Sequence, residues 1–156
     1  ARIKTGAQQV LSLGNLDAKR DWGYAKDYVE AIWRILQHNT PDDFVIATGE
    51  THTVREFAEE VGRHLGYELR WTGHGVNEKG IDAKTGKVVI TVDSALFRPS
   101  ETDLLIGDPA KARKVLGWKP KVSFAGLAKL MAEADFEYVR THLSGHPVHA
   151  RRFRKR

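Results

Sequence analysis

The side chains able to do chemistry in this sequence are 7 histidines, 4 tyrosines and 20 carboxylates, with no cysteine among them. Without cysteine there is no thiolate nucleophile, no thiolate metal ligand and no disulfide framework. The histidines at 38, 52, 64, 74, 142, 146 and 149 show no pairing on one helix face. His146 and His149 fall in the tail that begins with the Ser-Gly-His-Pro break after His142, so no metal site is expected. No tyrosine has a lysine four residues on, which excludes a Tyr-x-x-x-Lys oxidoreductase pair within the chain. Phosphate loops, nucleophile elbows and zinc-binding H-E-x-x-H are all absent. Gly73-His-Gly75 with Gly80 has the wrong spacing for a dinucleotide fingerprint and runs on into polar residues. The pairs Asp42-Asp43 and Glu59-Glu60 are adjacent in sequence and read as solvated faces, not an acid–base dyad. His52 reads as structural.

The elements that must position any site are clearer. Val10 to Asn15 reads as a short strand closed by a turn. Ala25, Tyr28, Val29, Ile32, Trp33 and Leu36 recur at helical spacing and predict an amphipathic helix that ends before Thr40-Pro41. Phe44 to Thr48 has a buried-strand pattern. Thr53-x-x-Glu56 is a capping box opening a second helix, with Val54, Phe57, Ala58, Val61 and Leu65 inward and Gly66 closing it. Leu69 to Trp71 and Val88 to Val92 read as strands, separated by a polar, Gly-rich loop over 73–87. Asp108-Pro109 predicts a short helix ending at Gly117. Ser123 caps a last helix with Leu127, Leu130, Met131, Ala134 and Tyr138 mostly inward. Trp22, Trp33 and Trp118 read as packing residues. This order predicts an α/β or α+β fold.

The chain has 156 residues, enough for one core, and a formal net charge of +5 with a pI near 9.5. The charge is local. Residues 1–142 hold 20 Lys and Arg against 20 Asp and Glu, and all the excess lies in Arg151, Arg152, Arg154, Lys155 and Arg156. The basic residues therefore argue weakly for nucleic-acid binding: the tail has one aromatic, Phe153, and no recognition helix. No apolar run reaches membrane-spanning length.

Two segments add what the composition does not. Leu11 to Trp33, reading LSLGNLDAKRDWGYAKDYVEAIW, and Phe97 to Pro120, reading FRPSETDLLIGDPAKARKVLGWKP, resemble the GDP-mannose 4,6-dehydratase family. Gly49 to Phe57 extends the likeness, which runs over about residues 1–142. Ala112 to Pro120 alone resembles many nucleotide-sugar epimerases and dehydratases of the extended short-chain dehydrogenase superfamily.

The resemblance implies the carboxyl-terminal, sugar-nucleotide-binding region of such an enzyme over 1–142, with 143–156 a basic tail outside the family pattern and expected to be disordered. It implies an amino-terminal Rossmann half that binds NADP and carries the catalytic Tyr-x-x-x-Lys, Thr and Glu, with Ala1 in a helix leading out of it. That half takes a hydride from sugar C4, removes the C5 proton, expels water from C6 and returns the hydride there. No catalytic residue falls in this chain, which is expected to be inactive alone and apolar enough to self-associate. By residue match, Arg20 and Arg98 hold the diphosphate or ribose, since guanidinium suits phosphate oxygens. Glu101 accepts from a ribose hydroxyl or orients Arg98, and Leu13, Gly14 and Asn15 flank the base. Bland readings stand beside these: Arg20 as an ion pair with Asp17 or Asp21, Arg98 and Lys4 as solvated cations. The family implies GDP-mannose as substrate, homo-oligomers, and a cytoplasmic enzyme without metal or membrane. Another nucleotide-diphospho-sugar, or a nucleic-acid module built on the tail, are the alternatives.

Overall fold

Runs of β-branched residues alternate with helical runs, and the described residues fold accordingly into two sheets and four α-helices. The computed structural model describes residues 1–98 and 106–142. In chain order the strands are β1 (Leu11–Leu13), β2 (Lys19–Arg20), β3 (His52–Thr53), β4 (Leu69–Thr72), β5 (Lys79–Asp82) and β6 (Val88–Val92). The helices are α1 (Ala25–Gln37), α2 (Val54–His64), α3 (Ala110–Leu116) and α4 (Phe124–His142). The main sheet has the order β1-β6-β5-β4, and β2 pairs with β3 in a separate ladder.

β6 is the strand that organises the sheet. Each of its five residues is β-branched, which suits a pleated surface packed on both sides, and Val89 and Ile90 are buried. It runs antiparallel to β5 and parallel to β1, with Leu11 opposite Ile90 and Leu13 opposite Val92. The polar stretch expected to be a loop over 73–87 instead contains a paired strand, β5. After a 3-10 turn at Gly75–Asn77, β5 and β6 form a hairpin across the Asp82-to-Lys87 turn. Asp82 makes that turn: its carboxylate accepts from the Thr85 hydroxyl and from the Glu68 and Lys84 N–H groups. Alternation in β5 is masked in sequence because Gly80 stands where the Trp71 ring and Ile90 leave no room for a Cβ.

α2 begins as the capping box requires. Glu56 N–H donates to the Thr53 hydroxyl, and Thr53 N–H donates to the Glu56 carboxylate. Its apolar face looks onto the sheet across a cavity of about 340 Å³ lined by Leu11, Leu13, Phe57, Leu65 and Ile90. Ser123 caps the start of α4 through Gly126 N–H. The buried side of α4 is Leu127, Ala128, Ala132 and Val139; Leu130, Met131, Ala134 and Tyr138, expected inside, are exposed.

Three other expectations are corrected. α1 forms where its spacing predicts, but it is turned the other way. Asp27 and Ala31 are buried, while Val29, Ile32, Trp33 and Leu36 are 64, 56, 61 and 75% exposed. Asp27 holds the inner face by accepting the Lys121 and Val122 N–H groups, and its own carbonyl accepts from the Trp118 indole. Phe44 to Thr48 is extended but joins no ladder among the described residues. Phe44 and Ile46 pack on the core of Ala31, Ala112 and Trp118, and Val45 is exposed. The segment is pinned by side chains: Asp21 accepts the Thr48 and Gly49 N–H groups, and Arg113 donates to the Thr48 carbonyl. Residues 1–7 form a hydrogen-bonded turn rather than a helix.

Candidate functional site

Because β1 and β6 are parallel, their carboxyl ends reach the same edge of the sheet. The chain leaves β1 through Gly14 and Asn15 and leaves β6 through Asp93 toward Phe97 and Arg98. The two exits are joined by Asp93 N–H donating to the Leu13 carbonyl at 2.8 Å, and Asp93 in turn accepts from Leu96 and Phe97 N–H. Gly14 is pressed against this second exit: a Cβ built there would lie 2.4 Å from the Leu96 carbonyl oxygen. Its bareness therefore serves chain packing. Asn15 closes the turn with its side-chain oxygen accepting Asp17 N–H at 3.0 Å, the local bond that suits asparagine to turns. Leu13 is half-buried and Leu16 fully so.

Arg20 comes from the other ladder, where it is opposite His52, exposed, with Nη1 donating to the Lys19 carbonyl. Arg98 is exposed at the end of the described stretch. Glu101 lies outside the described residues. The structure thus brings Leu13, Gly14 and Asn15 together with the segment leading to Arg98.

The carboxylates flanking Arg20 have other work. Asp21 holds residues 48 and 49 and accepts from the Tyr28 hydroxyl. Burial, with Asp21 beside it, pushes the Tyr28 hydroxyl up to about 12. Asp17 pairs with Arg55 at 2.8 Å, a residue that sequence reasoning passed over. Arg55 also forms a two-bonded pair with the buried Glu78 and lies over the Trp71 ring. Glu78 raises the guanidinium above its already high ordinary value. Nothing local marks this group, because Asp17, Arg55 and Glu78 are far apart in sequence.

β2 and β3 rest on a stack of rings. Trp22 lies flat on Phe57 at 4.5 Å and donates its indole N–H to the His52 carbonyl. His52 lies flat on Phe124 at 3.7 Å, with Nε2 buried without a hydrogen bond and 3.8 Å from Glu50. That is the packing role expected of His52. Trp118 is buried as expected, whereas Trp33 is exposed. Lys4 lies over the Tyr67 ring and lines a concavity of about 820 Å³ together with Lys84 and Val88, at the entry of β6 and so away from the two exits. Among the described residues no group of three or more His, Cys, Asp or Glu could hold a metal ion, and no helix is long and apolar enough to cross a membrane.

Solved structures share this arrangement. RMD of Pseudomonas aeruginosa in complex with NADPH superposes with a TM-score of 0.65 at 22% identity, covering 85% of this chain and 38% of that one. The dTDP-glucose 4,6-dehydratase of Bacillus anthracis in complex with NAD gives 0.63 at 17% identity over 89% of this chain and 38% of its own. These show that the chain has the fold of the corresponding part of those two proteins. Sequence relatives are much nearer. The GDP-mannose 4,6 dehydratase of Homo sapiens is 54% identical over 142 residues, covering 91% of this chain and 38% of the relative. That of Sinorhizobium fredii is 50% identical over 140 residues, covering 90% of this chain and 40% of the relative. The chain spans about two-fifths of these relatives' length. A family model described as GDP-mannose 4,6 dehydratase matches residues 1–131, and with relatives 54 and 50% identical over 91 and 90% of its length, the chain belongs to the GDP-mannose 4,6-dehydratase family.

Proposed function

We propose that residues 1–142 are the sugar-nucleotide-binding region of a GDP-mannose 4,6-dehydratase, with GDP-mannose as the ligand. The observation that carries this reading is the parallel β1–β6 pair, which sets Leu13, Gly14 and Asn15 beside the segment that delivers Arg98. Arg20 and Arg98 supply planar, permanently charged donors for a diphosphate, and Glu101 is assigned to the ribose. Leu13 offers apolar contact and Asn15 a preformed turn for the base. The reaction is the NADP-dependent conversion of GDP-mannose to GDP-4-keto-6-deoxymannose.

The described residues do not themselves fit NADP. A dinucleotide cradle needs a glycine-rich turn leading from a strand directly into a helix, whereas Gly14 leads from β1 into β2 and faces Leu96. The hydride chemistry is accordingly assigned to a Rossmann half of the kind the family carries, and this chain to gripping the substrate. Alone it is inactive; joined to that half it is part of a cytoplasmic homo-oligomer. The basic stretch 143–156 lies outside the described residues.

Calorimetric titration tests the ligand assignment. GDP is expected to bind and to outcompete UDP and dTDP, and Arg20→Ala and Arg98→Ala each to weaken it by about tenfold or more. Equal binding of all three diphosphates would leave the fold assignment intact and reject guanosine recognition. No GDP binding, even with the Rossmann half of a relative supplied, would reject the site.

A further inference from the structure

The loop that follows β1 is held from outside its own sequence. Arg55 is the second residue of α2, and its backbone N–H donates to the Leu16 carbonyl at 2.9 Å, next to Val54 N–H donating to the Ala18 carbonyl at 3.1 Å. The same residue reaches back with its side chain. Nη2 donates to Asp17 at 2.8 Å and to one Glu78 oxygen at 3.1 Å, and Nη1 takes the other Glu78 oxygen. The guanidinium is seated 4.9 Å from the centre of the Trp71 ring, whose indole N–H is in turn held by Glu59 at 2.6 Å. Glu78 accepts Val92 N–H through its backbone carbonyl, so the anchor is bonded to the last residue of β6. One side chain therefore ties the exit of β1 to the exit of β6.

The two arms of this tie differ in kind. Glu78 has a side chain only 10% exposed, and its two-bonded pair with Arg55 is a structural bolt that cannot be cut without stranding a buried charge. Asp17 is 74% exposed, and such a pair contributes little to overall stability. What it can do is restrict the loop bearing Gly14 and Asn15, so that a ligand contacting the loop does not have to order it on binding.

We propose that Asp17 and Arg55 are positioning residues for the nucleotide: anchored on Glu78, Arg55 holds the 14–18 loop in its binding conformation through Asp17, without touching the ligand. This rests on the assignment of GDP to the loop.

The test uses the 156-residue chain, with GDP as probe by calorimetry and amide hydrogen exchange by NMR as a ligand-free readout. Asp17→Ala is expected to leave the thermal midpoint unchanged, to speed exchange of Asp17, Val54 and Arg55 N–H, and to weaken GDP by about tenfold. Asp17→Asn, which keeps an acceptor oxygen, should recover part of the loss. Arg55→Lys, still charged but unable to fork, should show the same defect, and the double variant with Asp17→Ala should bind no worse than either alone, as expected for one interaction. Unchanged exchange in Asp17→Ala overturns the tether, and so does faster exchange with wild-type GDP affinity or additive losses in the double variant. If the wild-type chain takes up no GDP, the nucleotide assignment fails, and the exchange rates still decide whether Asp17 orders the loop.

Discussion

Two residues show how little freedom the site's surroundings have. Gly14 sits where any Cβ meets the Leu96 backbone carbonyl, and a main-chain oxygen cannot swing aside as a side chain would. Gly14→Ala is therefore expected to lower stability by about 1–3 kcal/mol and to move the β1 exit, detectable as a drop in the urea midpoint together with shifted amide resonances at Leu13 and Leu96. Asp27 is a buried carboxylate whose two accepted bonds come from backbone N–H groups at Lys121 and Val122. Asp27→Ala leaves both donors without a partner and is expected to cost about 3 kcal/mol, whereas Asp27→Asn, which retains an acceptor oxygen, should cost about 1 kcal/mol. Denaturant unfolding of the two variants separates these values. Equal losses would mean that the charge, not the hydrogen bonding, carries the contribution.

At the scale of elements, α2 is the helix whose start is decided locally. Thr53→Ala is expected to cost about 1 kcal/mol. The reciprocal half of the box makes this end sensitive to acid. Thr53 N–H, donating to Glu56, holds that carboxyl below its ordinary value of 4.5. A group with a lowered folded value contributes stability that is complete above its unfolded value and lost as pH falls through the folded one. The contribution of Glu56 should thus be full above about pH 4.5 and fade below it. Stability measured against pH should show a smaller acid decline in Glu56→Gln than in the wild type, and an identical decline would count against the box. α1 teaches a different lesson. Its periodicity is genuine, but the side that packs is the one carrying Asp27 and Ala31, with Arg34 donating to the Leu116 carbonyl. The apolar stripe is left facing out.

For the whole molecule, the outward stripe of α1, the unladdered segment around Val45 and the exposed Met131 and Tyr138 of α4 leave much apolar surface in water. Exposed apolar surface of that kind favours association. The 156-residue chain is expected to self-associate in sedimentation measurements and to bind an apolar dye. Trp33→Glu with Leu36→Glu should reduce both effects while changing stability by less than about 0.5 kcal/mol, because both residues are mostly exposed. A monodisperse wild-type chain that takes up no dye would contradict the reading of this region as one part of a larger enzyme.

The sequence by itself determined the family, the α/β class, the limits of α1, α2 and α4, and the strands around Leu11, Leu69 and Val88. These follow from caps, periodicity and motifs that are complete within a few residues of each position. Only the tertiary structure decided which face of α1 is covered, that Phe44 to Thr48 finds no ladder among the described residues, that the 73–87 stretch contains a strand of a hairpin, and that Arg55 joins Asp17 to Glu78. Each of these depends on groups distant along the chain: Arg55 stands 38 residues from Asp17 and 23 from Glu78, and Trp118 stands 91 from Asp27. A helix shows its stripe in sequence whatever lies against it, and an extended run shows its β-branching whether or not a neighbour pairs with it. Which groups meet is decided by the packing of the whole chain, and that packing is not written in any local spacing.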